Sequence, residues 1–296
     1  MRLARVLNGI GRTMITAGVL ILLFVAYQLW GTGIREAQAQ DRLENQFKAR
    51  IATTTTTSTT PGTTPPSTAP PVPIAENEGD VVGKIEMPTI GETAYVVEGV
   101  DVLDLQKGPG HYPNTPFPGQ QGNAAIAGHR TTYGAPFADI DSLKVGDKIM
   151  VTTIQGTFTY GVMAQDDGSA HRIVSPSQVD VLDDKGDNRL TLTACHPKYS
   201  ASQRIVVNAL LEGNPLPATK PAAPTASIDA GVSGKEVGRL PAILWALVCA
   251  AIWLGAWAFG KWVWRKWPSY VVAFPFFMVA LFFFFENFSR LLPANY

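Results

Sequence analysis

The chain has 296 residues, with 24 Lys and Arg against 24 Asp and Glu and a formal net charge of zero. That balance argues against nucleic acid as the partner, and the length suits one or two domains. The bulk composition averages unlike segments, so their order is more informative than the mean.

Residues 1–12 carry Arg2, Arg5 and Arg12 and read as a cytoplasmic N-terminus. Residues 13–30 are apolar and uncharged and read as a transmembrane helix. A cleaved signal peptide would have a shorter apolar run and a nearby small-residue cleavage site, and Ala37-Gln38-Ala39 lies rather far downstream. The span is therefore read as an uncleaved anchor, its arginines inside and Trp30 at the outer interface. Residues 31–78 read as an extracellular linker. Within it, 53–73 is a Thr/Pro-rich spacer that cannot bury enough apolar surface to offset the entropy of ordering. Extended as polyproline II it would reach on the order of 65 Å, away from the bilayer and into the wall. Thr-rich stretches of this kind can be O-glycosylated outside the cell.

Residues 79–213 read as the globular part. Short β-like runs recur at 82–87, 93–97, 123–128, 148–153, 157–165, 171–174, 189–195 and 204–211. Helical periodicity is scarce. Eight short strands separated by Gly, Pro and Asp predict an all-β closed barrel or sandwich. Residues 214–239 form a second, Pro/Ala-rich linker. Two further transmembrane helices are predicted at 240–260 and 268–287, joined by a basic, Trp-rich cytoplasmic loop at 261–267, with an extracellular tail at 288–296. The N-terminal arginines and this loop agree in orientation. The expectation is a multi-pass protein of the cell membrane with its β domain extracellular.

There are two cysteines. Cys249 lies in an apolar span and Cys195 in a polar, strand-like region, so a disulfide is not expected. A lone thiol in an exported domain is unusual and is a candidate reactive group. Alternation over 190–195 puts Leu190, Leu192 and Ala194 on one face and Thr191, Thr193 and Cys195 on the other. Pro197 then prevents continuation as a central strand. A buried structural cysteine fits the strand equally well. A reactive thiol needs a base or cation nearby. The chain has four histidines: His111 in a turn-rich stretch, His129 at the end of an apolar strand, His171 at a strand start and His196 beside the cysteine. Spacing leaves His129 and His196 both open. Arg204 opens the next strand, and a hairpin would return it beside Cys195 as a donor to a developing oxyanion.

Thr191-Leu192-Thr193-Ala194-Cys195 closely resembles the TLxTC signature of sortases. So do the histidine in an Ala-Gly-His-Arg context and the arginine opening the following strand. Three stretches resemble class E, the housekeeping type of high-GC Gram-positive bacteria: 108–113, 128–137 and 195–204. The resemblance implies an eight-stranded sortase-type β-barrel, with Cys195, His129 and Arg204 catalytic. Tyr112, His111, Thr193, Ala194 and His196 would bind substrate. It implies a cysteine transpeptidase that cleaves a C-terminal LAxTG- or LPxTG-like sorting signal between Thr and Gly. The partners would be secreted proteins bearing that signal and the amine of a peptidoglycan precursor or stem peptide. No cofactor or metal is implied, and no acidic loop points to calcium. Ala194 departs from the family, which usually has threonine before the nucleophile. The lost hydroxyl is expected to be a substrate contact or an oxyanion-side hydrogen bond. Rival readings are a cysteine hydrolase on the same fold and a non-catalytic wall-associated module. An L,D-transpeptidase is disfavoured because no Ser-His-Gly-Cys motif occurs.

Overall fold

The structure, a computed structural model, describes residues 2–57, 77–219, 238–262 and 266–291. Most of the predicted spacer, most of the second linker, the centre of the Trp-rich loop and the end of the tail lie outside these. The chain divides into two compact units. One comprises 1–32 and 236–295, the other 33–235 with the final residue.

The first unit holds α1 (Arg2–Ala26) and a π-helical turn, Tyr27–Gly31. It also holds two C-terminal helices, treated below as α4 (Leu240–Trp262) and α5 (Lys266–Ser289). Among the described residues three helices are long and apolar enough to cross a membrane. Tyr27, Leu281 and Phe285 are buried together, and Cys249 packs beside them. Trp245 stacks on Phe283 at 4.7 Å. Aromatic side chains supply large contact areas here.

In the second unit, β1 (Val81–Met87), β2 (Glu92–Glu98), β3 (Gly110–His111), β4 (Asn123–Ala127) and β5 (Lys148–Thr153) come first. They are followed by β6 (Gly156–Val162), β7 (His171–Val174), β8 (Arg189–His196) and β9 (Gln203–Leu211). The order across the sheet is β6-β5-β1-β2-β3-β4-β8-β9-β7, and β6 also pairs with β9. That last pairing closes eight strands into a barrel. β7 is the ninth, and it shares with β6 the edge of β9 that β8 leaves open.

The barrel interior is filled by alternating apolar side chains, including Ile85, Val96, Ile126, Leu190, Leu192, Ile205 and Val207. A second cluster covers the opposite face of β4, β8 and β9. It contains Tyr112, Ala125, Ala127, Val206 and, from the segment before β8, Val181 and Leu182. β8 is thus buried on both faces, although half of its alternation is polar. The polar face is satisfied internally: Thr191 donates to Asn123 at 2.7 Å and accepts from Asn208 at 2.8 Å.

Part of the segment read as linker is helical. α2 (Thr32–Thr57) packs on the barrel through Leu43 and Phe47, which meet Val81 and Val97. Their four-residue spacing puts both on one face. The Gln40 amide fits the backbone between them and the turn after α3 (Val102–Leu105). It donates to the carbonyls of Tyr95 and Lys107 at 3.0 and 2.8 Å and accepts from the Tyr95 amide at 2.6 Å. Glu36 lies against Gly134, where a Cβ would meet its carboxylate oxygen at 2.5 Å and where φ is +73°. The positive φ favours glycine there.

Burial pushes the Glu36 carboxyl up to about 7, helped by the Glu92 charge. Burial does the same to Glu92. Unfolded carboxyls ionise near their ordinary range, so folding loses stability as the pH rises towards 7. Glu36→Gln is therefore expected to raise the melting temperature at pH 8 and to leave it close to the parent at pH 5. Thermal unfolding at the two pH values checks this.

Candidate active site

The site follows from the two neighbours of β8. On one edge β8 runs antiparallel to β9, and Cys195 is the direct partner of Arg204. Side chains so paired have Cβ atoms about 5 Å apart on one face. On the other edge β8 runs parallel to β4, with Ala125 beside Thr191 and Ala127 beside Thr193. Gly128 extends this ladder, its amide donating to the Thr193 carbonyl at 3.0 Å. Two residues past Ala127 comes His129, as Cys195 comes two past Thr193. The sheet therefore presents His129, Cys195 and Arg204 in that order across three adjacent strand lines.

Packing fixes the histidine. Phe137 donates its amide to the His129 carbonyl at 2.9 Å, closing the loop between them. A Cβ at Gly128 would lie 2.6 Å from the Phe137 ring, so only glycine lets that ring close down. Tyr133 is buried with its ring 5.3 Å from the imidazole. Tyr133 and Ala135 hold φ values of 50° and 48°. Such conformations cost non-glycine residues free energy and concentrate at functional sites.

The electrostatics run against charge on either reacting group. His129 is 3% exposed and its Nε2 has no hydrogen-bond partner. Burial pushes its imidazole down to about 4. Burial also pushes the Cys195 thiol up, while the Arg204 and Arg130 guanidinium groups pull it partly back. At neutral pH the resting pair is thiol and neutral imidazole. The two cations favour the thiolate, the minor form of Cys195.

Arg204 is buried, and its Nη1 donates to the carbonyls of Ala201 and Gln203 at 2.9 and 3.1 Å. Its Nε is left without a partner. Arg130, to which the sequence assigned no role, is the second buried cation. It binds Asp141 at 2.7 Å, donates to the Ala138 carbonyl at 3.2 Å, and reaches His196 Nδ1 at 3.4 Å. His196 is thus tied to Arg130.

The remaining expected residues are placed unevenly. Tyr112 and Thr193 share the face of Cys195, their hydroxyls bonded to each other at 2.9 Å. His111 is turned to the other side. It is fully buried, bound to Glu98 at 2.7 Å and to the Pro116 carbonyl at 3.0 Å, and stacked on Phe117 at 4.8 Å. Burial disfavours its charge, but Glu98 and these hydrogen bonds outweigh that and hold its pKa above the ordinary value. Its placement is that of a brace and differs from the substrate contact expected of it. Ala194 differs as well. Its side chain joins the barrel core, opposite Ile205. Strand alternation sends it away from the face that carries Cys195, so a hydroxyl at 194 would enter the interior. Neither cysteine forms a disulfide. Among the described residues no cluster of His, Cys, Asp or Glu could hold a metal ion.

The Sortase domain family model matches residues 85–212. Sortase SrtE1 of Streptomyces coelicolor is 35% identical over 231 residues, which cover 72% of this chain and 60% of that protein. The chain thus spans less than two thirds of that relative's length. Sortase SrtE2 of the same organism is 26% identical over 69% of this chain and 81% of its own. The solved structure of sortase E from Streptomyces avermitilis is 34% identical, with a TM-score of 0.41 over 47% of this chain and 93% of that one.

Each arginine stabilises the thiolate, so removing either raises the thiol pKa further. Arg204→Met and Arg130→Met are each expected to slow iodoacetamide alkylation of Cys195 at pH 8, by about tenfold per pKa unit. Lys198→Met, at an exposed ion pair with Asp139, is expected to leave the rate unchanged. Timed mass spectrometry of the alkylated chain measures all three.

Proposed function

We propose that this chain is a sortase of the class E type, a cysteine transpeptidase that joins secreted proteins to the cell wall. The observation that carries this is the direct pairing of Cys195 with Arg204 across β8 and β9, with His129 two residues beyond the end of the β4–β8 ladder.

In the proposed reaction the Cys195 sulfur attacks the carbonyl carbon between Thr and Gly of a C-terminal LAxTG- or LPxTG-like sorting signal. The thiol proton passes to His129, which gives it to the departing glycine amine as that C–N bond breaks. The protein is left as a thioester on Cys195. The amine of a peptidoglycan precursor or stem peptide then attacks the thioester. His129 takes the amine proton and returns it to the sulfur as the C–S bond breaks. Arg204 donates to the oxyanion at both tetrahedral stages. A buried guanidinium suits this task because it stays charged and is already oriented.

Dry surroundings support that chemistry. A positive charge near a low-dielectric site acts far more strongly on a developing oxyanion than it would in water. Tyr112 and Thr193 lie on the nucleophile's face and are proposed to contact the substrate backbone. His196 is proposed to border the same cleft. His111 is proposed to act indirectly, by holding the turn on which Tyr112 sits.

The domain is proposed to face outwards. Arg2, Arg5 and Arg12 precede the first apolar helix, and Lys261, Arg265 and Lys266 lie between the last two. Three spans with both basic segments inside put residues 33–235 outside and the C-terminus with them.

Incubating the full chain with an LAxTG peptide and an amine acceptor tests the function. The parent is expected to give the amide product in an amine-dependent manner. Cys195→Ala is expected to abolish it, His129→Gln to lower kcat/KM by about 10²–10⁴ and Arg204→Met by about 10²–10³. Activity retained by Cys195→Ala contradicts the proposal. Peptide cleavage that ignores the amine would make the protein a hydrolase.

A further inference from the structure

The membrane unit contains a cavity of about 880 Å³ between its helices, lined by Arg12 of α1, Trp253 and Ala256 of α4, and Trp267, Tyr270 and Phe277 of α5, among others. That volume lies within the range of small-molecule sites. Trp267 and Tyr270 lie in the first turns of α5, and Phe277 lies near its middle. Arg12 stands at the charged end of the apolar run of α1.

The depth of the groove has a natural measure. Trp267 and Phe277 are separated along α5 by a rise of about 15 Å. That is half of the roughly 30 Å hydrocarbon thickness of a bilayer. The groove therefore spans one leaflet, from headgroup level to the midplane. Its walls are built from aromatic rings: Trp253 packs at 5.2 Å from Tyr270 and 5.9 Å from Phe277. Ala256 is buried and leaves room between the helices. Trp267 and Tyr270 fall where amphipathic rings favour the headgroup region.

Arg12 is the charged residue of the lining. Its planar fork matches phosphate oxygens. In a zwitterionic lipid the headgroup amine offsets the phosphate charge, whereas in an anionic lipid nothing does. We propose that this groove is a binding site for an anionic glycerophospholipid, with one acyl chain laid along the wall formed by Trp253, Tyr270 and Phe277 and the phosphate on Arg12. The site depends on neither the transpeptidase reaction nor the orientation of the chain.

The full chain, assembled in nanodiscs of equal phosphatidylglycerol and phosphatidylcholine, is examined by native mass spectrometry for retained lipid. The parent is expected to keep phosphatidylglycerol over phosphatidylcholine by about fivefold, equivalent to the ~1 kcal/mol of one basic side chain at a membrane. Arg12→Gln is expected to bring the ratio to parity and Arg12→Lys to preserve most of the preference. Ala256→Trp keeps the arginine but fills the groove, and is expected to lose the preference too. Parity in the parent, or a preference that survives in Arg12→Gln, overturns the proposal. A preference lost in Arg12→Gln but kept in Ala256→Trp also overturns it, because the arginine would then attract lipid without the groove.

Discussion

β8 is hydrogen-bonded along both edges, in parallel to β4 and in antiparallel to β9. That double pairing fixes which residues meet. A slip of one residue against either neighbour would turn every side chain to the other face. Arg204 would then face away from Cys195, and His129 would come level with Ala194 instead. The register is held by what each face buries: Leu190, Leu192 and Ala194 in the barrel interior, and Thr191 and Thr193 in hydrogen bonds to Asn123, Asn208 and Tyr112 on the other side. The interior side chains specify the fold, and in doing so they specify the site.

The same packing sets the electrostatics. A thiol and an imidazole enclosed by buried side chains both shift towards their neutral forms. The cations do not reverse this, but they favour the Cys195 thiolate. Arg204 does so from the partner strand. Arg130 does so from the loop after β4, where Asp141 and the Ala138 carbonyl orient it. Three buried nitrogens, His129 Nε2, Arg204 Nε and Arg130 Nε, have no hydrogen-bond partner. Each such group costs about 1–3 kcal/mol.

Much of this was legible in the sequence. The strand runs stand close to where alternation put them, and alternation placed Cys195 opposite Leu192 and Ala194 in facing. A returning hairpin placed Arg204 correctly because antiparallel neighbours are adjacent in the chain. His129 could not be chosen over His196 by spacing, since the parallel β4–β8 pairing joins strands some sixty residues apart. Three features escaped for related reasons. α2 is polar overall, and its signal is only the Leu43–Phe47 spacing beside a conspicuous Thr/Pro-rich stretch. β3 has two residues, too few for any period. The Glu98–His111 pair joins β2 to β3 and exists only in the folded sheet. Ala194 was assigned to the substrate by family pattern, although its own position in the alternation already pointed to the core.

The central claim is that Cys195 is the nucleophile of an acyl transfer. The most direct test is to mix the chain with an LAxTG peptide, quench in acid and map the covalent adduct by mass spectrometry. The account predicts a thioester on Cys195 whose added mass is that of the peptide cut after threonine, discharged by an added amine. An adduct on another residue, or peptide turnover with no adduct while Cys195→Ala stays active, would contradict it.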